Sequence, residues 1–277
     1  MPLAPDPVSL EISPEGVAVV SINRPSKRNA LDELTIAELG EAFGTLAVAD
    51  HIRIVILKGE GEAFCAGADI DWMRRQGEKS QAANEEDALG LARMLKALHS
   101  LPQFTLALVQ GAAYGGGAGL AAAADYAVAT QGAQFRFSEV RLGLTPATIS
   151  PYVIEAIGAR NARALFASGM PFDAAAALRF GLVQEVVADM AALEGVAKHF
   201  IGLAFENAPG AVADSKALVR FIQDDAVRTR LSPSGHLIDE HIVHETARRI
   251  AARRASDEGK EGLKAFLERR PPSWKGG

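Results

Sequence analysis

Apolar residues fall into short unbroken runs in the first half of this chain and into spaced stripes in the second. Val17-Ala-Val-Val-Ser-Ile22 is a strand-like run bounded by Gly16 and by Asn23-Arg-Pro25. Arg53-Ile-Val-Ile-Leu57 reads as a buried strand, and Phe104-Thr-Leu-Ala-Leu-Val109 as a third. Two more strand-like runs follow, Tyr126-Ala-Val-Ala129 and Gln134-Phe-Arg-Phe137. Between them lie helical stripes. Asp32 is placed to cap a helix running toward Ala49, with Leu34, Leu39, Phe43 and Leu46 expected on its buried face. Residues 81–100 predict a second helix, with Leu89, Ala92, Leu95 and Leu98 on one side.

The texture changes after Pro151. Helical spacing dominates from Tyr152 to Arg270, interrupted by a strand-like Gln184-Glu-Val-Val187. Stripes at 190–206, 211–228 and 237–254 look like packing or assembly helices. The pattern predicts an α/β body over 1–190 and a helical region over 191–277. No short repeat or low-complexity segment is evident.

Composition narrows the function classes. The chain has 277 residues, 48% of them hydrophobic, enough for a large core. Lys and Arg number 29 against 34 Asp and Glu, giving a net charge of −5. That balance does not favour nucleic acid as a partner. Cys65 is the single cysteine, so no intrachain disulfide can form, and a reducing compartment fits. No apolar run approaches the ~18 residues of a membrane span. The start, MPLAPDPVSLEISPEG, lacks a signal-peptide core and an Arg-rich transit pattern. The expectation is a cytoplasmic protein that does not enter membranes.

The stretch GAAYGGGAGLAAAAD, residues 111–125, places glycine at 115, 116, 117 and 119. Gly117 to Ala122 satisfies G-x-G-x-x-A, and Glu139 follows at a distance suited to a ribose ligand. The context does not suit a dinucleotide, because the strand-like run at 126 leaves only a stub of helix after the glycines. No phosphate-loop lysine motif is present. Gly61-Glu-Ala-Phe-Cys-Ala-Gly-Ala-Asp-Ile70 has the same logic: a strand end, then small residues, then a helix start. Two such loops can each turn a backbone N–H toward one point, which is what a developing oxyanion requires. Two tight turns with no ligand fit the spacing equally well. His241 and His244 in Glu240-His-Ile-Val-His-Glu245 lack the H-E-x-x-H order, and no metal is expected. Cys65 reads as a small buried hydrophobe, and Asp69 as a residue that orders its loop.

Together these segments carry a resemblance. Asn23-Arg-Pro25 with Asn29-Ala-Leu31, Phe64-Cys-Ala-Gly-Ala-Asp-Ile70, Gly111-x-x-x-Gly-Gly-Gly117 and Ser138-Glu-Val-Arg-Leu-Gly143 resemble the crotonase, or enoyl-CoA hydratase/isomerase, superfamily in order and spacing. The segment 255–269 is similar to that family's last helix, so the likeness covers nearly the whole chain. It implies a crotonase-like spiral of ββα units with a C-terminal helical region used for trimerisation. It implies that the N–H groups of Ala68 and Gly116 bind the thioester oxygen of an acyl-CoA, with Glu139 as acid and base. CoA would belong to the substrate, with no bound cofactor. Lys27 and Arg28 would meet CoA phosphates, although a solvated pair fits nearly as well. Ala30, Ala66, Asp69 and Ile70 would line the CoA path. Phe266 and Arg269 would reach the CoA of a neighbouring subunit in a homotrimer or homohexamer.

One departure stands out. The family's hydratases use a second carboxylate, and its position here is Gly119. Family isomerases manage with one acid. Residues 138–153, with Gly119 and Asp71-Trp-Met-Arg-Arg75, look like bacterial methylglutaconyl-CoA hydratases of leucine breakdown and the related isohexenylglutaconyl-CoA hydratases. Their substrates carry an extra carboxylate, which would disfavour a second site acid and make Gly119 a substrate-binding position whose vacancy serves the anionic acyl tail. Arg141, Arg74 and Arg75 are then cations that could meet it, although a solvated surface group or a CoA-phosphate contact fits each of them as well. The resemblance implies a hydratase of a branched, carboxylated enoyl-CoA. A double-bond isomerase and a non-catalytic acyl-CoA binder are the alternatives.

Overall fold

The computed structural model describes residues 6–230 and 239–275. The elements run β1 (Val8–Ile12), β2 (Val17–Ile22), α1 (Glu33–Ala47), β3 (Ile54–Gly59), α2 (Ile70–Gly77), α3 (Gln81–Ser100), β4 (Phe104–Val109), β5 (Ala112–Tyr114) and α4 (Gly116–Ala123). They continue as β6 (Tyr126–Thr130), β7 (Gln134–Arg136), α5 (Ser150–Ser168), β8 (Pro171–Asp173), α6 (Ala174–Phe180), β9 (Glu185–Val187) and α7 (Met190–Glu206). The last helices are α8 (Pro209–Arg230), α9 (Glu240–Ala255) and α10 (Asp257–Glu268). Two compact units result, 1–101 with 105–201, and 102–104 with 202–277.

In the first unit a six-stranded sheet has the order β1-β2-β3-β4-β6-β9, and a three-stranded sheet the order β5-β7-β8. β1 pairs antiparallel with β2, whereas β2–β3, β4–β6 and β6–β9 are parallel. The strands with both faces covered are unbroken apolar runs, as parallel sheets require. The chain climbs in turns. Each gives a long strand to the large sheet, a short one to the small sheet, then a helix: β4, β5 and α4, then β6, β7 and α5. The turn from β3 to α2 follows the same route, because Cys65 bridges Ala113 of β5 in parallel. This is the expected spiral of ββα units.

Local chemistry explains the helix starts. Asp32 accepts a hydrogen bond from the Thr35 N–H and caps α1. Leu39, Phe43 and Leu46 are fully buried, but Leu34 is exposed and Ile36 takes its place. Positions 36, 39, 43 and 46 share one helical face; 34 lies off it. Leu89 is likewise exposed, and Met94 joins Leu95 and Leu98 in the core. The helix after the glycines is short, ending at Ala123 before β6 begins at Tyr126. That leaves too little room for a dinucleotide fold.

The second unit carries several ion pairs and a cation–ring contact. Arg253 pairs with Asp214 at 2.8 Å and Glu258 at 2.9 Å. Arg270 grips both oxygens of Glu261, at 2.6 and 2.9 Å. The Arg249 guanidinium sits 4.6 Å from the Phe221 ring centre. Phe266 and Leu267 on α10 are 81% and 80% exposed. Among the described residues no helix is long and apolar enough to cross a membrane.

Candidate active site

The site is built where two loops run side by side. Cys65 bridges Ala113, and three residues on in each segment come Ala68 and Gly116. Leu31 ties the two together. Its backbone bridges Ala68, and its Cδ1 lies 2.9 Å from where a Cβ on Gly116 would stand. Gly67 and Gly117 allow the close approach. A Cβ on Gly117 would lie 2.2 Å from the Cys65 carbonyl oxygen, and one on Gly67 would lie 3.0 Å from the Tyr114 oxygen. Gly67 also needs its φ of +95°. Neither the Ala68 nor the Gly116 N–H has an acceptor among the described residues, and both residues are partly accessible. Gly116 opens α4, so the helix adds its positive end there.

Glu139 stands over the same helix start. Its Oε1 lies 3.1 Å from where a Cβ on Gly115 would be, and Gly115 holds a φ of +48°. The carboxyl leans on bare backbone one residue before Gly116. Its Oε2 is buried and has no hydrogen-bond partner in the structure. Burial pushes the Glu139 pKa up, against a smaller opposing pull from its own backbone N–H. A half-buried carboxyl with a raised pKa and one unpartnered oxygen, beside two free N–H groups, has the chemistry to exchange a proton with a bound thioester.

The surrounding residues hold the loops. Asp69 caps α2, accepting from the Asp71 N–H at 2.9 Å and the Trp72 N–H at 3.3 Å. Burial alone would raise its pKa, but those bonds and Arg24 outweigh it and hold the carboxyl below its usual range. Asp69 therefore orders its loop, as expected. Cys65 is fully buried and its thiol is pushed up to about 12 by desolvation, so it is inert.

The remaining predicted residues are placed as follows. Lys27 pairs with Asp71 at 3.0 Å on the exposed side of the loop. Arg28 is left-handed at φ +52° and exposed, and its carbonyl accepts from the Ala66 N–H. Ala30 is buried, and its carbonyl accepts from Arg24. The Ile70 side chain is exposed at the start of α2. Arg75 is engaged by Glu33 at 2.8 Å, and Arg74 reaches Asp71 at 3.7 Å. Arg141, two residues past Glu139, is exposed and has no ion pair among the described residues. Phe266 and Arg269 belong to the second unit, at the end of α10. No cluster of metal-ligating side chains occurs among the described residues, His241 and His244 included.

Gly119 requires a correction. It is buried, and a Cβ there would lie 2.4 Å from Ile149 Cγ2 and 2.9 Å from Ile149 Cβ. The space left by the missing side chain is filled with hydrocarbon. It is not an opening for an anionic tail.

Sequence reasoning also missed the anchors. Asn29, fully buried and left-handed at φ +58°, donates to the Glu60 and Ala63 carbonyls at 2.8 and 2.7 Å. It accepts from the Arg24 N–H at 2.8 Å. The Arg24 guanidinium meets Asp32 at 2.8 Å and Asp69 at 3.1 Å. Their signal was the Asn-Arg-Pro and Asn-Ala-Leu spacing, which marked a turn without naming its partners.

The enoyl-CoA hydratase/isomerase family matches residues 13–277. The chain belongs to that family. A solved enoyl-CoA hydratase from Shewanella pealeana is 38% identical with a TM-score of 0.89, covering 97% of this chain and 96% of that one. Pseudomonas aeruginosa AtuE is 33% identical with a TM-score of 0.87, covering 97% and 99%. The (E)-benzylidenesuccinyl-CoA hydratase of Thauera aromatica is 31% identical over 276 residues, 98% of this chain and 99% of that protein. The fold is the crotonase fold, with two sheets and C-terminal helices. This family member is a hydro-lyase of the enoyl-CoA hydratase type.

Proposed function

We propose that the enzyme adds water across the Cα–Cβ double bond of a branched 2-enoyl-CoA carrying a second carboxylate, such as 3-methylglutaconyl-CoA. The observation that carries the reading is the half-buried Glu139 carboxyl, its Oε2 buried and unpartnered, beside the free N–H groups of Ala68 and Gly116. The thioester oxygen takes the two N–H donors. Ionised Glu139 accepts a proton from water as the water oxygen bonds to Cβ. The double-bond electrons move to the thioester oxygen as an enolate, which the donors stabilise more than the ground-state carbonyl. Glu139 then returns that proton to Cα, and one water has been added. A pKa raised toward working pH suits a group that must both take and give.

The finer substrate assignment rests on the likeness in residues 138–153 and on Arg141, which lies beside Glu139 in sequence with its charge unmatched among the described residues. The Thauera relative is named for a benzylidenesuccinyl-CoA. Lys27 and Arg28 would meet the CoA phosphates, and exposed Phe266 and Leu267 would serve self-assembly as a trimer or hexamer. A second reading, double-bond isomerisation, is favoured by one observation: hydrocarbon from Ile149 lies where a second, water-holding acid would need space.

A panel of enoyl-CoAs with and without a terminal carboxylate, followed by absorbance of the conjugated thioester, separates these. Hydration bleaches the band. Isomerisation of an unconjugated substrate creates it. A neutral, unbranched substrate outperforming every carboxylated one would remove the glutaconyl-type assignment and leave the general hydratase.

A further inference from the structure

The Ala68 N–H is aimed from a neighbouring segment. Leu31 and Ala68 form a parallel bridge. In it the Leu31 N–H donates to the Gly67 carbonyl at 2.7 Å, and the Asp69 N–H donates to the Leu31 carbonyl at 2.8 Å. The Gly67 carbonyl and the Ala68 N–H belong to one planar trans peptide and point opposite ways. The bond that ties the carbonyl to Leu31 therefore turns the N–H away from it, into the open.

Arg24 holds both sides of this bridge. Its guanidinium donates to the Ala30 carbonyl and pairs with Asp32 Oδ2 at 2.8 Å and Asp69 Oδ2 at 3.1 Å. Residues 30 and 32 flank Leu31, and residue 69 follows Ala68. The second oxygen of each carboxylate caps a helix. Asp32 Oδ1 accepts from the Thr35 N–H, and Asp69 Oδ1 from the Asp71 and Trp72 N–H groups. One planar cation thus joins the starts of α1 and α2 to the bridge between them. The Arg24 and Asp69 side chains are 18% and 6% exposed, so salt and water weaken the pair little.

We infer that Arg24 is a positioning residue that aims the Ala68 N–H at the thioester oxygen by clamping the Leu31–Ala68 bridge. The inference rests on Ala68 as an oxyanion donor. Arg24 acts through the peptide between 67 and 68, since three protein acceptors occupy its guanidinium. A donor that drifts loses most where charge has formed on oxygen, because a fixed N–H stabilises an enolate more than a neutral carbonyl. Its signature is a selective loss of enolate binding while neutral acyl-CoA binding is kept.

The test is calorimetric binding of two probes, acetoacetyl-CoA, which ionises to an enolate, and butyryl-CoA, which stays neutral at its thioester. Wild type, Arg24→Met, Arg24→Lys and Ala68→Pro are compared, with melting temperature alongside. The ratio of enolate to neutral affinity should fall at least about tenfold in Arg24→Met. Arg24→Lys keeps the charge and loses the fork that spans three acceptors, so its ratio should fall as well. It also decides the matter if Arg24→Met does not fold. Lower melting temperatures with the ratio kept would leave Arg24 a stability role only and overturn the inference. Full rescue of the ratio by lysine would assign the effect to charge and overturn the clamp. Ala68→Pro keeps the two readings apart. A wild-type ratio there removes the oxyanion assignment itself, whereas a lowered ratio there with wild-type ratios in the Arg24 variants removes only the role of Arg24.

Discussion

The proposed site has one side made of backbone and one made by an acid side chain, and they answer to different constraints. The backbone wall, 65–68 beside 113–117, is fixed by contact. Gly117 and Gly67 are small because neighbouring backbone is already there, at 2.2 Å for a Cβ on Gly117 and 3.0 Å for one on Gly67 against the Tyr114 oxygen. The acid side is a single side chain, Glu139, whose Oε1 faces the bare backbone of Gly115. The first wall cannot be retuned without moving the fold. The second can be, because one side chain can be exchanged without moving backbone. Rigid donors for the oxyanion with an adjustable acid wall is an arrangement that lets one scaffold serve several acyl groups.

The largest break in this comparison comes from the side-chain wall. Glu139→Gln keeps the shape and removes the proton. Turnover should fall on the order of 10²–10⁴, the range for a general acid/base, with acyl-CoA affinity retained. Steady-state rates with calorimetric binding of a non-reacting acyl-CoA check it. Turnover within a few-fold of wild type would move proton transfer elsewhere.

The backbone wall should lose nearly as much from one missing donor. Ala68→Pro deletes an N–H and is expected to cost at least ~10² in turnover. Gly67 and Asp69 constrain the same loop, so CoA binding must be shown intact before the loss is read as catalytic. A variant that binds normally and turns over normally would leave Gly116 as the only donor that matters.

A smaller effect tests what holds the backbone wall in place. Asn29→Ala removes two hydrogen bonds to the 60–63 loop and leaves buried carbonyls without their donor. Unsatisfied buried groups cost about 1–3 kcal/mol, so thermal or denaturant unfolding should report a loss of that order. Unchanged stability would mean that Arg24, through Asp32 and Asp69, carries the anchor alone.

Much of this was legible in sequence, for physical reasons. Strong periodic segments such as 81–100 and unbroken runs such as 104–109 bury whole faces, and the structure keeps their boundaries. Short elements were not legible. β1 lies between Pro7 and Pro14, and β5 and β8 span three residues each, too few to show a period. The backbone wall announced itself through glycine, which has few other uses at such density. Glu139 was singled out as the acid only through the family resemblance. Ile149 was not, because an isoleucine ahead of a helix looks like any core residue until its contact with Gly119 is seen.

The smallest effect sets two carboxyls of the site against each other. Burial raises the folded pKa of Glu139, so the folded chain keeps a proton that the unfolded chain has lost. Its contribution to stability is full below the unfolded carboxylate value and is lost as pH rises through the folded value. Asp69 runs the other way. Despite burial, the Trp72 and Asp71 amides and Arg24 lower its folded pKa, so its contribution is present above the unfolded value and lost as pH falls through the folded one. Melting temperature measured from acid to neutral pH should therefore respond oppositely in the two conservative variants. The difference between wild type and Glu139→Gln should shift against wild type as pH rises through and above the ordinary glutamate range. The difference between wild type and Asp69→Asn should shift in favour of wild type as pH rises from below the ordinary aspartate range. If Glu139→Gln tracks wild type at every pH, the carboxyl is solvated in solution, and the buried Oε2 above Gly115 does not exist as drawn.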